Sequence, residues 1–259
     1  VINTFSKFYY GITVTSDQKY LDFDEGSGEV TAVVQTGSYT LDDLAIAVED
    51  AMNLVGVNTY SVLVDRATRK LTIESDSPID FLAGTGTNVG LNQSIYPTLG
   101  YPETDELTSD SYQAADAIGL VYSPQYKLQD YVDAEDYQTN RNGTVSTSAS
   151  GKVQLQSFGI DRMFEFSIKF ATGIRQNGFP IRDNPTGVED LRSFMQWCMN
   201  KSYVEFMPDE DDPDNFYRLV LENAPGGSSG TGYKLQEQFL RGLVGYYESG
   251  VLTFRIIED

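Results

Sequence analysis

The densest group of side chains able to do chemistry is Asp209-Glu210-Asp211-Asp212-Pro213-Asp214. Carboxylate oxygens are what calcium binds, so Asp209, Asp211, Asp212 and Asp214 are the candidate metal residues of the chain. The spacing is not that of an EF-hand loop. Counted from Asp209, Pro213 is fifth, Asp214 takes the sixth place that needs glycine, and Val220 the twelfth that needs a bidentate glutamate. A solvated hairpin turn accounts for the run without a metal, and no cofactor is expected.

Other constellations are poorer. The chain has no histidine, which removes the commonest metal ligand and general base, and with it Ser-His and Cys-His nucleophile systems. The single cysteine, Cys198, sits in Phe194-Met195-Gln196-Trp197-Cys198-Met199 and reads as a small buried hydrophobe. Gly84, Gly86 and Gly90 do not have dinucleotide-loop spacing and lead into no helical pattern. Paired carboxylates could cleave glycosides, but among 38 acidic residues nothing in the sequence selects two. The expectation is a chain without catalytic residues.

The surface chemistry points to protein contacts. A formal charge of −20 repels nucleic-acid backbones and anionic lipid alike, so no specific nucleic-acid binding is expected. DNA could still slide past such a wall without sticking. Tyrosines 131 and 137 are flanked by acids rather than bases, which suits interface positions better than base stacking. The same aromatic, acid-rich run motivates an alternative as a carbohydrate-binding adhesion module. Apolar runs such as 44–48 and 117–122 fall well short of the roughly 18 residues of a membrane span. No secretory signal is read at the start, so the sequons at Asn92, Asn142 and Asn200 are taken as chance matches.

The elements that must position these residues are mostly strands. Alternating or aromatic stretches predict strands within 5–15, 20–23 and 29–35. Thr40 is a helix N-cap with Asp43 three residues on, and Leu41, Leu44, Ala45, Val48, Ala51 and Met52 make one apolar face, predicting a helix over 41–54. Residues 60–65 and 70–75 form a hairpin around Arg66-Ala67-Thr68-Arg69. The polar, acidic segment 102–116 marks a boundary between domains 1–112 and 113–259. The second domain shows strands within 117–128, 153–158, 163–170, 203–207, 216–221, 233–239 and 250–257. Its helix spans about 187–200, starting at Thr186 and Glu189, with the stripe Val188, Leu191, Phe194, Met195 and Cys198. Polar stretches 137–152, 208–215 and 224–232 read as loops, natural arms for neighbouring subunits.

The fold class is therefore mainly β (α+β), with β-sandwich or β-barrel units that each carry one packed amphipathic helix. Asp43-Leu44 with Met52-Asn53, and Asp190-Leu191 with Met199-Asn200, share one spacing, and each helix leads into a hairpin. Helical packing alone imposes such a period, so a repeated unit is not required.

Two runs resemble segments of structural proteins of tailed bacteriophages. One is Gly37-Ser38-Tyr39-Thr40-Leu41-Asp42-Asp43-Leu44-Ala45, through Ala51-Met52-Asn53 to Tyr60-Ser61-Val62 and Arg69-Lys70-Leu71-Thr72-Ile73, then Gly86-Thr87-Asn88 and Leu99-Gly100-Tyr101. The other is Glu205-Phe206-Met207-Pro208-Asp209, Phe216-Tyr217-Arg218 and Gly250-Val251-Leu252-Thr253-Phe254-Arg255. The resemblance implies a virion location and a non-enzymatic structural subunit of a tail, neck or baseplate. It also implies a homo-oligomer with other virion proteins as partners. A capsid-stabilising cement protein is the alternative station.

Overall fold

The computed structural model describes residues 7–122, 131–147, 153–169, 188–200, 203–209, 211–223, 236–240, 243–248 and 250–257. Described pairings with a defined register are antiparallel, and two helices accompany the strands, so the chain is mainly β with helix added. It divides into two units. Tyr9–Val121 forms one, while Lys7, Phe8 and the described residues from Tyr122 onward belong to the other. The boundary expected at residue 112 thus falls after Val121, and the first unit is inserted into the sequence of the second. The chain enters it within β1 (Lys7–Tyr10) and leaves it within β9 (Leu120–Tyr122).

In the inserted unit, β3 (Tyr20–Asp24), β4 (Glu29–Val33), β6 (Tyr60–Asp65) and β7 (Lys70–Phe81) form a sheet of order β4-β3-β7-β6, and β8 (Glu106–Gln113) also pairs with β7. A two-residue ribbon joins β2 (Thr13–Val14) to β5 (Gly37–Ser38). The first half of β7 pairs with β6 and its end with β3, through Tyr60↔Ser75 and Phe23↔Phe81. Pro78 lies where one neighbour gives way to the other, a place where a residue lacking an N–H leaves no ladder bond unmade. The hairpin turn forms as its residues dictate: the Asp65 carboxylate accepts from the Ala67 and Thr68 N–H groups, and Arg69 takes the left-handed φ of 58° that closes it.

Helix α1 (Leu41–Val55) begins where expected. The Thr40 hydroxyl accepts from the Asp43 N–H at 3.2 Å, and Leu41, Leu44, Ala45, Val48, Ala51 and Met52 are buried. They share a core with Phe23, Phe81, Tyr96, Tyr101 and Tyr112. Phe81 stacks on Tyr112 with ring centroids 4.1 Å apart and meets Tyr101 edge-on. The tyrosine hydroxyls leave no polar debt in this core: Tyr96 donates to the Asp22 carbonyl, Tyr101 to that of Tyr112, and Tyr112 to that of Ile79.

The second unit is built on a seven-stranded sheet. Its members are β10 (Tyr131–Thr147), β11 (Val153–Lys169), β12 (Val204–Met207), β13 (Tyr217–Asn223) and β16 (Val251–Ile257), with β1 and β9, in the order β10-β11-β16-β13-β12-β1-β9. β14 (Gln236–Leu240) and β15 (Leu243–Glu248) pair as a separate ribbon. Helix α2 (Val188–Met199) inserts Phe194 among Phe8, Tyr122 and Phe254, and Phe206 stacks on Phe8 and Phe164. Phe194, Met195 and Cys198 are buried, as the stripe predicts. Thr186 and the stretch 224–232 lie outside the described residues.

Two expectations are corrected. The acidic segment 102–116 is not a linker throughout, because β8 runs through it. Only Tyr112 of β8 is fully buried, so backbone pairing with β7 holds the strand and no apolar alternation announces it. The polar stretch 137–152 is likewise strand as far as Thr147. It pairs with β11 from Tyr131↔Lys169 to Thr147↔Val153, whereas β16 pairs with β11 only over Arg162–Ser167. The outer part of β10–β11 is therefore a two-stranded ribbon rather than a loop.

Each helix should fail when a charge enters its apolar face. Leu44→Asp and Phe194→Asp, both at positions with no exposure, are each expected to cost about 3 kcal/mol or more. Denaturant melts of the variants against the parent chain check this, and near-parental midpoints would show that these faces do not carry the cores.

Candidate interaction surface

Besides β8 on the far side of β7, the inserted sheet ends at β4 and β6; these two edges are treated differently, and α1 sets the difference. Asp42, Glu49 and Asn53 share one side of the helix and meet the β6 hairpin in reverse order, so helix and strand run antiparallel. Asp42 holds Arg66 with two bonds of 2.8 and 2.9 Å, and Glu49 accepts the Val62 N–H at 3.0 Å. The Asn53 amide both donates to the Tyr60 carbonyl and accepts its N–H, at 3.0 and 2.9 Å. The spacing fits because four helical residues rise about 6 Å and two strand residues about 6.6 Å. The Asp76 N–H bonds the Thr59 carbonyl toward β7, which by antiparallel alternation turns the backbone groups of Tyr60 and Val62 outward, where these side chains receive them. Side chains of α1 thus stand in for a missing strand.

Among the described residues the β4 edge has no such cover. The Val34 N–H bonds the Lys19 carbonyl at 3.0 Å, so alternation points the backbone groups of Thr31 and Val33 away from β3, the only strand paired with β4 among the described residues. Between this edge and α1 lies an open cleft of about 270 Å³, lined by Val33, Tyr39, Ala47, Asp50, Ala51 and Leu54 among others. Leu54 is 84% exposed and Val33 47%. The cleft is smaller than pockets that enclose a drug-sized molecule, and its width follows from small residues on this side of the helix.

Carboxylates elsewhere in the unit hold loops rather than ligands. Asp22, 1% exposed, accepts from the Thr31 hydroxyl and from the backbone and side-chain amides of Asn88. Gly86 is required beside it, since a Cβ there would lie 2.6 Å from that of Asp22. Asp105 accepts from the Gly84 and Thr85 N–H groups, and Glu25 from Val57, Asn58 and the Tyr60 hydroxyl. Burial works against ionisation of both Glu25 and Asp105. The hydrogen bonds outweigh it, and both carboxyls titrate below their ordinary values. The Asp65 carboxyl is lowered as well, by its bonds to the Thr68 hydroxyl and N–H.

Of the residues singled out in the sequence, Asp209, Asp211, Asp212 and Asp214 lie in the turn joining β12 to β13. The Asp209 side chain accepts the Asp211 N–H and its carbonyl accepts that of Asp212. Among the described residues no three His, Cys, Asp or Glu side chains gather as a metal site. Burial pushes the Cys198 thiol up, the opposite of an activated nucleophile. The glycines 84, 86 and 90 belong to the loop that Asp22 and Asp105 organise. The cleft beside β4 was not among the sequence candidates, although exposed Leu54 just outside the apolar stripe of α1 was a visible sign. Comparison with family models and with curated proteins gives no match.

Asn53→Leu keeps the helix but leaves two outward backbone groups of Tyr60 to water, and is expected to cost about 2 kcal/mol in a denaturant melt. A second expectation concerns pH. A carboxyl whose pKa is lower in the folded chain stabilises it above the unfolded value, and that contribution is lost as pH falls through the folded value. For Glu25, Asp65 and Asp105 the loss begins below the ordinary values of 4.5 and 3.8. The melting temperature should therefore fall between about pH 5 and about pH 3, less steeply in Glu25→Gln. A Glu25→Gln profile parallel to that of the parent chain would remove this carboxyl from the account.

Proposed function

We propose that this chain is a non-enzymatic structural subunit that works through protein–protein contacts, within the tail, neck or baseplate of a tailed-phage particle. The observation that supports assembly is the β4 edge, uncovered among the described residues, beside exposed Leu54 and Val33. A free edge with apolar side chains next to it is a liability for a protein that stays alone, and the β6 edge of the same sheet is covered by dedicated side chains. The phage station rests on the resemblance of the helix–hairpin run at 37–101 and of the C-terminal strands to virion proteins. The acid surplus fits a wall past which DNA moves without adhering.

Light scattering on the purified chain, followed by negative-stain imaging of what elutes, tests the proposal. Closed rings or tubes, or co-purification with particle proteins, are the expected result. A strict monomer that captures no particle protein would overturn it.

A further inference from the structure

We infer that the open edge of β4, with the cleft between it and α1, takes an extended segment of a different protein in which apolar residues alternate with lysine or arginine. The inference rests on the assembly reading for who supplies the segment, and on geometry for the site itself. Outward N–H and C=O groups at Thr31 and Val33 offer the ladder that an added strand needs, and alternate side chains of such a strand reach the adjoining pockets. The cleft presents Ala47, Ala51 and Tyr39 at its side and Leu54 at its mouth, which suits apolar side chains of modest size.

The charge selects the partner. Asp50 lines the cleft and Glu29 begins β4, while the inserted unit has only Lys19, Arg66, Arg69 and Lys70 as cations, with Arg66 held by Asp42. A second copy of a chain with net charge −20 would bring its own surplus of carboxylates to this edge. A basic segment gains from the same field. The β6 edge cannot compete for it, because Glu49 and Asn53 already occupy the outward groups of that strand.

The probe is a fluorescein-labelled synthetic peptide of alternating valine and lysine, titrated with the full chain and followed by anisotropy, beside a valine–glutamate peptide of equal length. Saturable binding of the lysine peptide alone is expected. Leu54→Lys and Val33→Pro should each weaken it by about tenfold or more. Val57→Lys makes the same charge change at a site 91% exposed and outside the cleft, and should leave binding close to that of the parent. Circular dichroism of each variant verifies the fold, and Leu54→Lys keeps the test decisive if Val33→Pro unfolds. The idea is overturned if the lysine peptide does not bind, if Leu54→Lys and Val57→Lys weaken it equally, or if a folded Val33→Pro binds like the parent. Dimerisation of the chain alone that Leu54→Lys abolishes would make a second copy the occupant and overturn the choice of partner. Since the assay reads one chain and one peptide, it can fail while rings still form, and rings can fail to form while the peptide binds.

Discussion

Backbone N–H groups in a β-rich chain must find acceptors, and much of the inserted unit is arranged around that need. Where strands end or turn, carboxylates supply the acceptors: Asp24 for Gly26 and Gly28, Glu25 for Val57 and Asn58, Asp65 for Ala67 and Thr68, Asp80 for Thr108, Asp105 for Gly84 and Thr85. Each such bond joins a charge to a backbone dipole, which is stronger than a neutral pair. The acidity therefore has a structural use besides its effect on the surface field. A chain with few cations secures its loops through its own amides.

Buried aromatics complete what the carboxylates begin. Tyr96 reaches from the loop after β7 to the carbonyl of Asp22, whose side chain holds Asn88 in that same loop. Loop and strand are thus fastened twice, once by a carboxylate and once by a phenol. In the second unit Phe8, Phe194, Phe206 and Phe254 pack ring against ring. The two cores differ accordingly, one tying its loops by polar tips and the other filling space.

The sequence disclosed whatever depends on apolar periodicity. Helix α1 emerged with its N-cap and all six buried positions, and the β6–β7 hairpin with its turn, because burial of one face leaves a spacing that can be read. It concealed whatever depends on backbone pairing alone. β8 and the outer part of β10 are polar in sequence, and no apolar alternation marks a strand of that kind, whether its partner is near or far along the chain. The same reason hid the interaction surface. That Glu49 and Asn53 serve an edge, whereas Ala47 and Ala51 leave one open, follows from which strand lies on which side of the helix, and composition does not record it.

One helix cannot cover both the β4 and the β6 edge of the sheet. Its positions divide by angle into a column of Asp42, Glu49 and Asn53, an apolar stripe of Leu41, Leu44, Val48 and Met52, and a third side of Ala47, Asp50, Ala51 and Leu54. The stripe is committed to the core. A polar column with the strand's spacing can satisfy β6, but small and apolar residues on the third side have nothing to offer the backbone of β4. Covering that edge from within would take a longer polar side chain at position 47 or 51, which would fill the cleft. The arrangement that completes one edge is thus the one that leaves the other free to receive a strand from outside.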